Sequence, residues 1–227
     1  MNYVSACIWQ KKEQDSFMKV SLVLQCIKYK GRKCLFACVC KGNGEGSLGV
    51  TESGYFTEGL TEWFHRDGKQ LGKRKTLEEW IPVIHKKIHC LQKELEQYGE
   101  KHGYKPQLDY TGILLAENQF LTFSRGNAGG YLLNKKYQRK NMGKIGYCEK
   151  WEEIEWAYGK VQHKVGILLC NDAFFEKAEE KLIAEVLIMN GEYTEKRMER
   201  RMLELWKAGN KTDKKKESLG AVYIRIK

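Results

Sequence analysis

Residues 34–49 read Cys34-Leu35-Phe36-Ala37-Cys38-Val39-Cys40-Lys41-Gly42-Asn43-Gly44-Glu45-Gly46-Ser47-Leu48-Gly49. The first part is a continuous apolar run, the pattern of a buried strand, and the glycines end it. Cys38 and Cys40 alternate and so share one face of that strand. Gly44 to Gly49 also fits G-x-G-x-x-G between a strand and a helix, the context of a dinucleotide fingerprint. That fold needs a second parallel strand ending in an acid about 20 residues later. Here a second helix follows instead, and Asp67 lies in a basic loop, so the dinucleotide reading fails.

Outward from this stretch, β-rich runs at 3–10, 16–28 and 33–40 predict strands, with a hairpin turn at Tyr29-Lys30-Gly31-Arg32. Helices are expected over about 52–66, with Phe56, Leu60, Trp63 and Phe64 on one face, and about 76–100. Thr76-Leu77-Glu78-Glu79 reads as a capping box for the second. Short strands follow at Tyr110 to Leu115, Phe120 to Phe123, Gly130 to Leu133 and Val165 to Cys170. Helices at about 176–190 and 194–208 precede a last strand, Leu219 to Ile226. Grouped strands and paired helices predict an α+β sandwich with antiparallel sheets inside and helices outside, not a doubly wound parallel sheet.

The chain has 227 residues, a net charge of +11 and 42% hydrophobic residues, enough for one domain, 1–227, with a sizeable core. No apolar run approaches the ~18 residues of a membrane span, and the N-terminus lacks a signal-peptide pattern. The eight cysteines form no Cys-x-x-Cys and mostly sit inside apolar runs. They are expected as structural free thiols in a reducing cytoplasm.

A further pattern runs through most of the chain. Cys34 to Gly44 resembles the "LFAVADGMGG" segment of the PPM-type (type two C) metal-dependent serine/threonine protein phosphatases. Glu13-Gln14-Asp15-Ser16-Phe17 is similar to the family's N-x-D-S/A-F motif. Phe123-Ser124-Arg125-Gly126-Asn127-Ala128-Gly129-Gly130-Tyr131-Leu132-Leu133 is similar to "ANVGDSRAYLL". Gly166 to Phe175 resembles "LLLCSDGLWD", and Glu217 to Ile226 resembles "DNITVVVVRI". Five pieces in family order imply the family's αββα sandwich, with a reduced flap, because only residues 134–164 separate the "YLL" and "LLLC" strands.

The resemblance also implies a chemistry: two Mg²⁺ or Mn²⁺ ions on carboxylates and a glycine carbonyl, with a metal-bound hydroxide attacking phosphorus. Carried over by position, that centre is broken. The bridging Asp is replaced by Lys41, beside a retained Gly42. Asp15 remains, but the Asn before it is Glu13, and the upstream Arg is Gln10, with Lys11 and Lys12 next to it. The Asp of G-D-S-R is Asn127. Asp172 is retained before Ala173, and Glu217 replaces the last Asp. An ammonium ~4 Å from a dication is repelled by roughly 8 kcal/mol at an effective dielectric near 20. No catalytic residue is therefore assigned and no cofactor is expected. Lys41 is instead expected either to enter the vacated site, pairing with Asp172, Glu217 and Asp15, or to swing into solvent.

These residues imply a pseudophosphatase that binds a partner or phosphoprotein in cytoplasmic signalling. Lys11, Lys12, Arg125, Lys135 and Lys136 are its candidate phosphate- or partner-binding residues. The alternatives are an active phosphatase with Mn²⁺ or Mg²⁺ on Gly42, Asp172 and Glu217 supported by Asp15, and a nucleic-acid-binding protein. The last would use the basic excess at 134–144 and 193–216, which a solvated face explains as well. His85 and His89, four apart on a helix, lack a third ligand in sequence. Trp151 and Trp156 read as core or edge packing, or as a peptide-binding face.

Overall fold

The computed structural model describes residues 3–10, 17–29, 32–68, 70, 76–133, 139–142, 147–151, 153–161, 165–172, 174, 194–209 and 218–226. Eleven described strands form two antiparallel sheets. The strands are β1 (Tyr3–Gln10), β2 (Val20–Tyr29), β3 (Arg32–Gly42), β4 (Leu108–Ala116), β5 (Gln119–Arg125), β6 (Gly129–Leu133), β7 (Arg139–Asn141), β8 (Tyr147–Trp151), β9 (Ile154–Lys160), β10 (Gly166–Cys170) and β11 (Leu219–Ile226). One sheet has the order β1-β11-β10-β6-β7, the other β2-β3-β4-β5-β9-β8. The described helices are α1 (Ser47–Asp67), α2 (Ile81–His102) and α3 (Glu195–Gly209).

The two-residue period of β3 explains the layering. Cys34, Phe36, Cys38 and Cys40 belong to the core beneath α1 and α2. Leu35, Ala37 and Val39 belong to the core between the sheets, against Ile167, Leu169, Val222, Ile224 and Ile226. A strand buried on both faces must be apolar throughout, which is why its sequence shows no alternation. On the helix side, α1 contributes Phe56, Leu60, Trp63 and Phe64, and α2 contributes Ile84, Ile88, Leu91 and Leu95. Phe36 stacks on Phe64 with ring centroids 5.1 Å apart and meets Trp63 edge-on. At roughly 1.5–3 kcal/mol per fully buried large side chain, this layer is a major part of what holds the helices on.

One reading of the sequence needs correction. Thr76 to Glu79 do not cap an α-helix. The Thr76 hydroxyl lies 3.5 Å from the Glu79 carboxylate, a 3-10 turn occupies Glu78–Trp80, and α2 begins at Ile81 without a side-chain cap. Pro82 supplies the helical start instead, since its fixed φ suits the first turn and its missing N–H costs nothing there. In the described part of the segment after β6, β7 extends one sheet and the β8–β9 hairpin extends the other. Trp156 on β9 is fully buried against Phe123, its cross-strand partner, so it is core rather than a binding face. The helix expected at about 176–190 lies outside the described residues. No described helix is long and apolar enough to cross a membrane.

Candidate functional site

Continuing the period of β3, Lys41 follows Leu35, Ala37 and Val39 onto the face between the sheets. Its cross-strand neighbours are Val20 and Asp109. Opposite it, β10 ends at Cys170 and the chain turns through Asn171 and Asp172. The Lys41 ammonium donates to Asp172 Oδ1 at 3.2 Å and lies 3.5 Å from Oδ2. Both side chains are largely sheltered, 16% and 26% exposed. The sandwich therefore joins its two sheets at this edge by an ion pair where the resemblance places a metal bridge. Among the described residues, no three His, Cys, Asp or Glu side chains gather to hold a metal ion. The position to which the resemblance gives a bridging carboxylate holds the Lys41 ammonium, paired with Asp172. Glu217 and Asp15, the other expected partners of Lys41, lie outside the described residues, as do Lys11, Lys12, Lys135 and Lys136.

Asn171 fixes the other half of the pair, a role the sequence reading missed. It is almost fully buried. Its Nδ2 donates to the Ser218 carbonyl at 2.9 Å, and its Oδ1 accepts the Gly220 N–H at 3.0 Å. Its own N–H donates to the Gly220 carbonyl at 3.2 Å. One side chain thus ties the end of β10 to the start of β11 and sets where Asp172 begins. An Asn directly after an apolar strand is the signal that could have found it.

Gly42 is held from two sides. Its N–H donates to the Lys19 carbonyl at 2.9 Å, and a Cβ would come within 2.0 Å of the Gly49 carbonyl oxygen. Only glycine lets the end of β3 pass so close to the first turn of α1. The following loop is pinned by Asn43 N–H to the Gln107 carbonyl at 2.9 Å and by Gly44 N–H to Glu52 Oε2 at 3.0 Å. Glu52 is fully buried on α1. Burial pushes its carboxyl above the ordinary 4.5, while the amides of Gly44, Gln107 and Asn43 and the charge of Lys19 pull it back.

Arg125 is not brought to Lys41. It faces Tyr110 across the strands, on the helix side of the sheet, and pairs with Glu153. A cavity of about 470 Å³ lies there, lined by Asn43, Gln92, Glu96, Lys105, Asp109 and Arg125 among others. Asn127 is exposed in the β5–β6 turn. His85 and His89 lie with rings parallel at 6.3 Å, and His85 packs on Trp156. Cys38 and Cys40 are fully buried, and burial raises both thiols well above their ordinary range. Such thiols pack as small apolar groups and do not react.

No protein-family profile matches the chain, and no curated protein matches it in sequence. Solved structures do match it in shape. A bacterial serine phosphatase variant superposes with a TM-score of 0.79 at 12% identity, over 100% of both chains. A serine/threonine phosphatase of Staphylococcus aureus gives 0.76 at 11%, over 100% of this chain and 96% of that one. The catalytic domain of the serine/threonine phosphatase PstP, solved with two manganese ions, gives 0.73 at 13%, over 99% and 98%. With its two antiparallel sheets, its covering helices and these full-length superpositions, the chain has the fold of the PPM-type serine/threonine phosphatases.

Proposed function

We propose that this chain is a pseudophosphatase: a PPM-type scaffold that does not assemble the two-cation centre and acts by binding a partner or phosphoprotein. The observation that carries this reading is the contact between the Lys41 ammonium and Asp172 at 3.2 Å. An ammonium in that place supplies the positive charge that a cation would bring, but it cannot deliver a metal-bound hydroxide. The fold alone does not carry the activity of its neighbours, because activity resides in the site. The buried thiols Cys34, Cys38, Cys40 and Cys170 support a reducing, cytoplasmic setting.

Calorimetry of the full chain with Mn²⁺, paired with a phosphopeptide hydrolysis assay, tests the reading. The expected results are no binding heat and no turnover above background. Two bound manganese ions, or manganese-dependent hydrolysis abolished by Asp172→Ala, would overturn it in favour of an active enzyme with a rearranged site.

A further inference from the structure

The apolar stripe of α1, followed backwards from Phe56 by one turn, arrives at a carboxylate. Glu52 is 0% exposed and sits in line with Phe56, Leu60 and Phe64. A carboxylate at such a place needs a reason, since burying one without partners is costly. Its Oε2 accepts the Gly44 N–H at 3.0 Å, and the amides of Asn43 and Gln107 also favour its charged form. The Lys19 charge acts on it as well. Its Oε1 has no hydrogen-bond partner among the described residues. The groups it gathers come from three places: the approach to β2 (Lys19), the loop after β3 (Asn43, Gly44) and the approach to β4 (Gln107). Those same segments are stitched to one another by Gly42 N–H to Lys19 O and Asn43 N–H to Gln107 O, both at 2.9 Å. Lys41 is the residue directly before this knot.

We infer that Glu52 is the positioning residue of the site: it fixes the end of β3 from the helix side so that Lys41 meets Asp172 on the other side. This rests on the reading of Lys41 as the site's resident cation. Helix α1 starts without a side-chain cap and with no acidic residue in its first turn, so no other α1 carboxylate anchors the loop. Gly44 cannot be pinned by a side chain of its own, because a Cβ there would lie 2.9 Å from both Glu52 Oε1 and Leu48 Cβ. Beside the backbone bonds from Lys19 and Gln107, Glu52 is the α1 side chain that reaches the loop.

The test is the Lys41–Asp172 coupling, measured in the full chain by double-mutant cycles of Lys41→Met and Asp172→Asn under urea unfolding. The cycle is repeated with Glu52→Gln, Glu52→Asp and Glu52→Ala. Glu52→Gln keeps an acceptor for Gly44 and is expected to keep the coupling. Glu52→Asp is one methylene short and is expected to lose it, as is Glu52→Ala. In those backgrounds Lys41→Met should change the unfolding equilibrium by the same factor whether or not Asp172 is present. Amide exchange at Gly44 should also speed by about tenfold or more. A Leu60→Ala control lowers stability without touching the loop and should leave the coupling intact. If Glu52→Ala does not fold, Glu52→Asp against Glu52→Gln decides. Coupling unchanged in Glu52→Asp overturns the inference. The manganese calorimetry of the unsubstituted chain does not involve Glu52, so failure of the pseudophosphatase reading would be seen separately.

Discussion

Lys41 and Asp172 are 131 positions apart in the chain and meet at 3.2 Å, one at the end of β3 and the other just beyond β10. β3 and β10 belong to different sheets, so the contact of the two side chains bridges the sandwich at one edge. Each is sheltered but not sealed, 16% and 26% exposed. Such a pair stands between the exposed ion pairs that contribute little and the buried ones whose rupture costs several kcal/mol. Replacing Asp172 by Ala leaves a sheltered ammonium behind and is expected to cost about 1–2 kcal/mol. Equilibrium unfolding in urea checks this. A loss that disappears on raising the salt concentration would place the pair in solvent instead, because salt screens exposed charges far more than sheltered ones.

Lys41→Asp reverses the charge at the same place. Without metal it sets one carboxylate against another and is expected to lower stability more than Lys41→Met does. With Mn²⁺ the order is expected to invert, since a ligand bound only by the folded state stabilises it by about 2.7 kcal/mol at a hundredfold excess over Kd. Thermal unfolding of both variants across a manganese series reads this directly. Equal responses of Lys41→Asp and Lys41→Met to manganese would mean that the ammonium is not what stands in the cation's place.

Asn171 makes a sharper case, because its partners are backbone groups at the joint of β10 and β11. Asn171→Ala strands the Ser218 carbonyl and the Gly220 N–H in a buried setting. At about 1–3 kcal/mol for an unsatisfied buried group, a loss of about 2–4 kcal/mol is expected. Asn171→Ser should recover little, since a hydroxyl is too short to span both groups. Unfolding midpoints of the two variants measure the effect, and a cost below about 0.5 kcal/mol would mean that the joint is held by the strand pairing alone.

How far the sequence carried the fold depends on the kind of burial. The run from Cys34 to Cys40 was legible because a strand sealed on both faces must be apolar, and the long stripes of α1 and α2 were legible by their spacing. Strand β9 was not, although Ile154, Trp156 and Tyr158 alternate towards the helix side. The intervening Glu155 and the acidic approach to it break the apolar signal, so no strand is assigned there from sequence. β7 and β8 are short and five of their eight residues are Arg, Lys, Asn or Glu, so the pairing with β6 and β9 is what makes them strands. In the site, Lys41, Gly42 and Asp172 could be placed from the order of motifs. Asn171 and Glu52 were missed, because both act on backbone groups, which leave no side-chain pattern; only the place of Asn171 directly after an apolar strand hinted at its role.

Glu52 gives the last prediction, in the pH dependence of stability. Its carboxyl in the fold is raised above the ordinary 4.5, first by burial, against the opposing pull of Gly44, Gln107, Asn43 and Lys19. The phenol of Tyr104, in the segment after α2, is itself raised by burial and then by the Glu52 charge. Between pH 4.5 and the raised value, the folded chain keeps a proton on Glu52 that the unfolded chain has released. Stability must then fall as pH rises through that window, and the loss levels off once the carboxyl is ionised in the fold as well. The Glu52→Gln chain has no such proton, so the difference in unfolding free energy between the two proteins isolates this residue from every other titrating group. That difference should decline from pH 4.5 upwards and then become flat. A difference that does not change with pH would mean that the Glu52 charge is fully compensated by the amides around it, and that burial exacts no cost from the anchor of the glycine loop.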